Sequence, residues 1–171
     1  MKTGFAEMTE TEISFKAFGD LKLTLLLING PNLNMLGKRD PKQYGTFTLA
    51  DVEKTCSDKA LSRGYELITY QSNHEGDIID RIHSAMIECD GIVINPGALT
   101  HYSYAIRDAI ELCGLPVVEV HISDISSREG FRRISVVEDV CISQVKGFGI
   151  DSYTKGIDIL CDTIERQIDR R

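Results

Sequence analysis

The chain has none of the common sequence marks of membrane, metal or nucleotide proteins. No run of about 18 apolar residues occurs, so no membrane span is implied. No Cys-x-x-Cys pair occurs either, and the five cysteines (Cys56, Cys89, Cys113, Cys141 and Cys161) are odd in number. That argues against a disulfide framework and a thiolate zinc site. It reads as reduced thiols in a cytoplasmic protein, serving as small core hydrophobes. His74, His83, His101 and His121 lack paired ligand spacing and there is no HExxH, so no metal set emerges. No GxGxxG follows the first apolar run, and neither GxxxxGK[ST] nor GxSxG is present. A dinucleotide site, a P-loop and a serine nucleophile elbow are therefore not expected. Positive charge is scarce: 19 Lys and Arg face 26 Asp and Glu, for a net charge of -7. This disfavours nucleic acid or an anionic membrane as partner. A small anionic substrate stays open, because salt screens a distant acidic surface beyond about 10 Å.

What is present is an alternation of short apolar runs and helical periodicities. Strands are predicted at about 21–28, 65–70, 91–94, 117–121 and 138–145, and helices at about 49–63, 77–89, 102–113 and 151–168. A short helix is also expected at 128–133. Thr48 is a plausible N-cap for the first helix, with Asp51 at the capping-box position and Gly64 as its stop. Nearly continuous apolar strands separated by helices predict an α/β fold with a parallel sheet covered on both faces. The expected architecture is a flavodoxin-like, doubly wound five-stranded parallel sheet of order 2-1-3-4-5. Residues 1–20, with Glu7, Glu10, Glu12 and Asp20, resemble neither a signal peptide nor a transit peptide. They read as an N-terminal tail or arm before a single domain spanning 21–171.

Three apolar runs end in residues suited to chemistry. Leu25–Ile28 meets Asn29-Gly30-Pro31-Asn32, Gly91–Ile94 meets Asn95-Pro96-Gly97, and Pro116–Val120 meets His121. In parallel sheets, ligands bind at the carboxyl ends of the strands, so these residues are expected on one rim. The segment 38–45 is broken by Gly37, Pro41 and Gly45, and reads as a loop, or mobile lid, over that rim. It holds Arg39 and Tyr44. A tyrosine is a poor base at neutral pH unless a cation stabilises its phenolate, which a neighbouring arginine does. A solvated loop with a docked tyrosine is the bland alternative. Thr100 is expected to cap the third helix, with His101 at its start and Asp108 two turns on along one face. Here too a plain surface or capping histidine is the alternative. Glu119 and His121, two apart on a strand, share a face. A carboxylate there would orient the ring and suit it to general acid work, or the two form a structural ion pair. Arg128, Arg132 and Arg133 could bind a carboxylate or hydroxyl, or form a solvated face. The kit suits cofactor-free proton transfer, such as elimination beside a carbonyl. A non-catalytic flavodoxin-like small-molecule binding module is the alternative.

Together these segments resemble type II 3-dehydroquinate dehydratase. The matching stretches are Ile28–Leu33, Arg39–Gly45, Gln71–Gly76, Ile94–Ala98, Thr100-His101, Arg107-Asp108 and Glu119–Ser123 through Arg132, in order over about 22–168. The resemblance implies a hydro-lyase of the shikimate pathway, dehydrating 3-dehydroquinate without metal or other cofactor. It implies Tyr44 as base, Arg39 as its ioniser, Asn32 as an enolate-holding residue and His121 as general acid supported by Glu119. It further implies a carboxylate site at the amides of Ile122 and Ser123. Asn95, His101 and Arg132 would bind ring hydroxyls, and Asp108 would reach a neighbouring subunit's site. The family assembles as a homo-dodecamer, a tetramer of trimers. Asp40, Ser126 and Gly130 depart from its usual residues without touching the catalytic set.

Overall fold

A computed structural model of the protein describes residues 22–38 and 45–170. The expected tail at 1–20 and the loop residues Arg39, Asp40 and Tyr44 lie outside the described residues. Five strands form one parallel sheet in the order β2-β1-β3-β4-β5. They are β1 (Thr24–Asn29), β2 (Glu66–Gln71), β3 (Gly91–Asn95), β4 (Val117–His121) and β5 (Ser143–Lys146). Helices α1 (Leu49–Ser62), α2 (Glu75–Glu88), α3 (Tyr104–Cys113) and α4 (Asp151–Ile168) follow β1, β2, β3 and β5.

The apolar strands are explained by burial on both faces. Leu25, Leu26, Leu27 and Ile28 of β1 are all fully buried. Alternation sends Leu25 and Leu27 into the core with Val52 and Cys56 of α1 and Ile157 and Leu160 of α4. Leu26 and Ile28 enter the opposite core, with Ile78 and Ile82 of α2 and Ile106 and Ile110 of α3. Each such side chain contributes about 1.5–3 kcal/mol by burial. Truncation of one, such as Leu26→Ala, costs about 2–5 kcal/mol. The start of α1 is the expected capping box: the Thr48 hydroxyl accepts from the Asp51 amide at 3.2 Å, and the Asp51 carboxylate accepts from the Thr48 amide at 2.8 Å.

Several boundaries differ from the expected ones, each for a local reason. The third helix begins at Tyr104, not 102, because Gly97–His101 is a 3-10 turn and Ser103, not Thr100, is the cap. The Ser103 hydroxyl accepts from the Ile106 amide at 3.0 Å. His101 and Asp108 therefore do not share a helix, and Asp108 is exposed on α3. The expected helix at 128–133 is instead a 3-10 turn at Gly130–Arg133, preceded by another at Ile125–Ser127 that Asp124 caps. The fifth strand starts late, at Ser143. The Ser135 hydroxyl accepts from the amides of Val137 and Glu138, at 3.2 and 3.0 Å, leading into a 3-10 turn at Glu138–Val140. The second helix starts early, at Glu75.

Candidate active site

The sheet order places β1 between β2 and β3, so the chain leaves β1 and β3 at adjacent strand ends in opposite directions. That is the topological switch point. The two end loops touch: the Gly30 amide donates to the Asn95 carbonyl at 2.8 Å. A Cβ on Gly30 would lie 2.5 Å from the Pro96 carbonyl oxygen, so only glycine fits this approach.

At this edge lies a cavity of about 250 Å³. Its lining includes Asn32, Asn95, His101, Tyr102, His121, Ile122, Ser123, Arg128, Phe131 and Arg132. Eight of the residues singled out in the sequence, Asn32, Asn95, His101, His121, Ile122, Ser123, Arg128 and Arg132, thus line one space. Glu119 lies beneath it, bonded to His121, whereas Asp108 is not among the lining residues. Arg39 and Tyr44 are outside the described residues.

Asn32 has φ +67°, the only positive φ of a non-glycine among the described residues. Asparagine tolerates this region better than most residues. The turn is pinned from the loop after β2: the Asn73 side-chain oxygen accepts from the Asn32 amide at 2.9 Å and from Gln71 Nε2 at 3.1 Å.

Glu119 is the buried anion of the site. It sits mid-strand with no exposure, which is costly unless its oxygens are satisfied. Four side chains satisfy them. Thr100 donates to Oε1, His121 Nε2 lies 2.7 Å from Oε1, and Gln144 Nε2 donates to Oε2 at 2.7 Å. The half-buried Ser135 hydroxyl lies 3.0 Å from each carboxylate oxygen. Gln144 faces Glu119 because the two are in register across β4 and β5. Its amide is turned by Lys146, whose Nζ donates to Gln144 Oε1 at 2.6 Å. Burial pushes the Glu119 carboxyl up, but hydrogen bonds from His121, Thr100 and Gln144 outweigh it and hold it below the ordinary value of 4.5.

An ionised carboxylate only accepts, so His121 Nε2 carries the hydrogen that bonds Glu119. Nδ1 is left as the nitrogen available to a ligand. His101 is oriented in the opposite sense: its Nδ1 lies 2.7 Å from the Ile134 carbonyl, which leaves Nε2 free to meet a ligand. The His101 ring also packs edge-on to Phe131, 6.3 Å between centroids. Among the described residues, the amides of Ile122 and Ser123 find no hydrogen-bond acceptor. They stand at the end of β4 beside Arg128, whose Nη2 donates to the Ser123 hydroxyl at 2.6 Å. Arg132 pairs with Glu129 at 3.2 Å and lies over the Phe131 ring. Two amides with no acceptor among the described residues, beside two arginines, are donors of the kind that could hold a carboxylate.

Four contributors are not evident in the sequence. Thr100 is expected there to cap a helix, and Ser135 and Gln144 carry no signal beyond the rule that a buried glutamate needs partners. The fourth, Tyr153, is buried on α4; its hydroxyl donates to Asn29 Oδ1 at 2.8 Å and accepts from Asn95 Nδ2 at 2.8 Å. Burial pushes its phenol further above the usual 10.0, so it stays neutral and is no base. All five cysteines are free thiols, and burial raises Cys56 to about 12 and Cys161 to about 11. No helix among the described residues is long and apolar enough to cross a membrane.

Fold and cavity together define an α/β enzyme of the open parallel-sheet class, with its site at the switch point and a histidine–carboxylate pair on the floor. Residues 23–161 match the family described as Dehydroquinase class II. The chain is 56% identical over 131 residues to the 3-dehydroquinate dehydratase of Thermotoga neapolitana, covering 77% of this chain and 89% of that one. It is 50% identical over 148 residues to the 3-dehydroquinate dehydratase of Gloeobacter violaceus, covering 86% and 92%. The crystal structure of a type II dehydroquinase from Butyrivibrio crossotus superposes with a TM-score of 0.79 at 48% identity, covering 81% of this chain and 97% of that one. The chain belongs to the class II dehydroquinase family.

Proposed function

We propose that the protein is a hydro-lyase that converts 3-dehydroquinate to 3-dehydroshikimate and water by anti elimination through an enolate. The carrying observation is His121, clamped by the buried Glu119 at the end of β4 beside two amides that find no acceptor among the described residues. Family membership supports the same reaction.

In this reading the substrate carboxylate is held by the amides of Ile122 and Ser123. Asn95, His101 and Arg132 bind ring hydroxyls, and Arg128 adds positive charge beside the carboxylate. Tyr44, kept ionised by Arg39, takes the C2 proton. Electrons from that bond form the enolate of the neighbouring ketone, which Asn32 helps to hold. As the ketone re-forms, the C1 hydroxyl leaves with a proton from His121, and water departs. With Nε2–H committed to Glu119, the ring delivers this proton from Nδ1 as the imidazolium, whose charge the Glu119 carboxylate stabilises. No metal, Schiff base or other cofactor takes part.

We further propose that residues 21–171 form one catalytic domain, with 1–20 as a tail or arm. The working form is a cytoplasmic homo-dodecamer, a tetramer of trimers, in which Asp108 reaches a neighbouring site. Tyr44→Phe tests the chemistry: enone formation from 3-dehydroquinate drops by at least about 100-fold, the scale of general base catalysis. Turnover equal to the parent's would sink this assignment. Mass measurement in solution tests the assembly, and any mass other than twelve chains rejects it.

A further inference from the structure

We infer that Tyr153, at the start of α4 and outside the cavity lining, is a positioning residue that fixes the amide of Asn95 for substrate. The inference rests on the reading of Asn95 as a substrate contact.

Tyr153 is delivered by helical spacing. It begins the buried stripe Tyr153, Ile157, Leu160 and Ile164, and so meets the sheet below the carboxyl ends of β1 and β3. Asn29 and Asn95 are in register as the last residues of those strands, and both reach the same hydroxyl. The hydrogen bonding has one consistent direction. Asn29 Oδ1 accepts the phenol proton, so the phenol oxygen is left to accept from Asn95 Nδ2. On its other side, Asn95 Oδ1 accepts from the Gly97 amide at 3.1 Å. Both ends of the Asn95 side chain are thereby assigned. A flipped amide would set Nδ2 against the Gly97 N–H, donor against donor. One hydrogen of Nδ2 remains for a hydroxyl in the cavity that Asn95 lines.

Asn95 is 3% exposed and Tyr153 fully buried, so water does not substitute readily when the phenol oxygen is lost. Without it the amide is held at one end only, and a donor meant for substrate is free to turn away. The contact is used in both the bound substrate and the transition state, so its loss raises KM more than it lowers kcat.

The experiment is steady-state kinetics with 3-dehydroquinate on Tyr153→Phe, Asn95→Ala, their double variant and Asn29→Ala. Tyr153→Phe is expected to raise KM roughly tenfold, one hydrogen bond's worth, with kcat within about threefold of the parent. In the Asn95→Ala background it adds no further change in KM. Asn29→Ala leaves the phenol oxygen free to accept from Asn95, so it lowers the thermal midpoint but keeps KM within about twofold; a purely structural network would treat Asn29→Ala and Tyr153→Phe alike. If Tyr153→Phe does not fold, Asn29→Leu with Tyr153→Phe takes its place. That pair removes the orphaned Asn29 amide as well and carries the same KM expectation. Raised KM in Asn95→Ala with unchanged KM in Tyr153→Phe overturns the positioning role alone. Unchanged KM in both overturns the reading of Asn95, and the positioning role with it.

Discussion

Nε2 of His121 and Oε1 of Glu119 lie 2.7 Å apart, with the glutamate fully buried and the histidine almost so. The contact ties the imidazole to an anion held in place, because Thr100, Ser135 and Gln144 hold the same carboxylate. It fixes both the tautomer and the direction of the imidazole.

Glu119→Gln tests that constraint. A glutamine offers one acceptor where the carboxylate offers two, and its NH2 faces groups that also donate. The imidazolium loses its counter-charge. The expected result is a fall in kcat of at least about tenfold, within the range of general acid effects. A kcat within twofold of the parent would remove Glu119 from the mechanism.

The same substitution changes acid stability. The folded-state value of Glu119 lies below its ordinary 4.5. Above that ordinary value the carboxylate is ionised in both states and its full stabilisation is present. As pH falls through the window between the ordinary and the folded values, the unfolded chain takes the proton first and this stabilisation is lost. Urea unfolding at pH 7 and pH 4 therefore registers a smaller acid-induced loss in Glu119→Gln than in the parent. Equal losses would contradict the assignment.

Ser135 serves two structures at once, the carboxylate and the turn at Glu138–Val140. Ser135→Ala leaves Glu119 one donor short and two amides uncapped. About 1–3 kcal/mol of unfolding free energy is expected to be lost, with a fall in kcat smaller than that of Glu119→Gln. A denaturation midpoint equal to the parent's would contradict it.

Gly30→Ala should disturb the switch point directly. The added methyl lies 2.5 Å from the Pro96 carbonyl oxygen, and backbone on both sides must shift. The expected destabilisation is about 1–3 kcal/mol, the usual scale of overpacking, with a raised KM because Asn32 and Asn95 flank the contact. Unchanged stability and KM would show that the two loops yield freely.

Much of the fold was legible because it follows from single residues repeating a period. Leu25–Ile28 had to be a strand buried on both faces, and Val52, Cys56 and Ala60 had to share a helical stripe. The rim residues were legible because polar groups ended apolar runs. The third helix start was not, because Thr100 and Ser103 are both good caps, and only the tertiary demand of Glu119 decides which hydroxyl is free to cap. The late start of β5 likewise depends on Ser135 closing a turn, and nothing in the local pattern of 136–142 reports that. Tyr153 was hidden for a different reason. Its contact with Asn29 spans 124 residues of sequence, and from spacing alone it is one more core position on α4.

The central claim is dehydration of 3-dehydroquinate at this cavity, and the absorbance of the conjugated enone product tests it most directly. Adding 3-dehydroquinate to purified protein in metal-free buffer should produce a steady rise in that absorbance, lost in His121→Ala. No rise with the parent protein, or an undiminished rise with His121→Ala, would contradict the account.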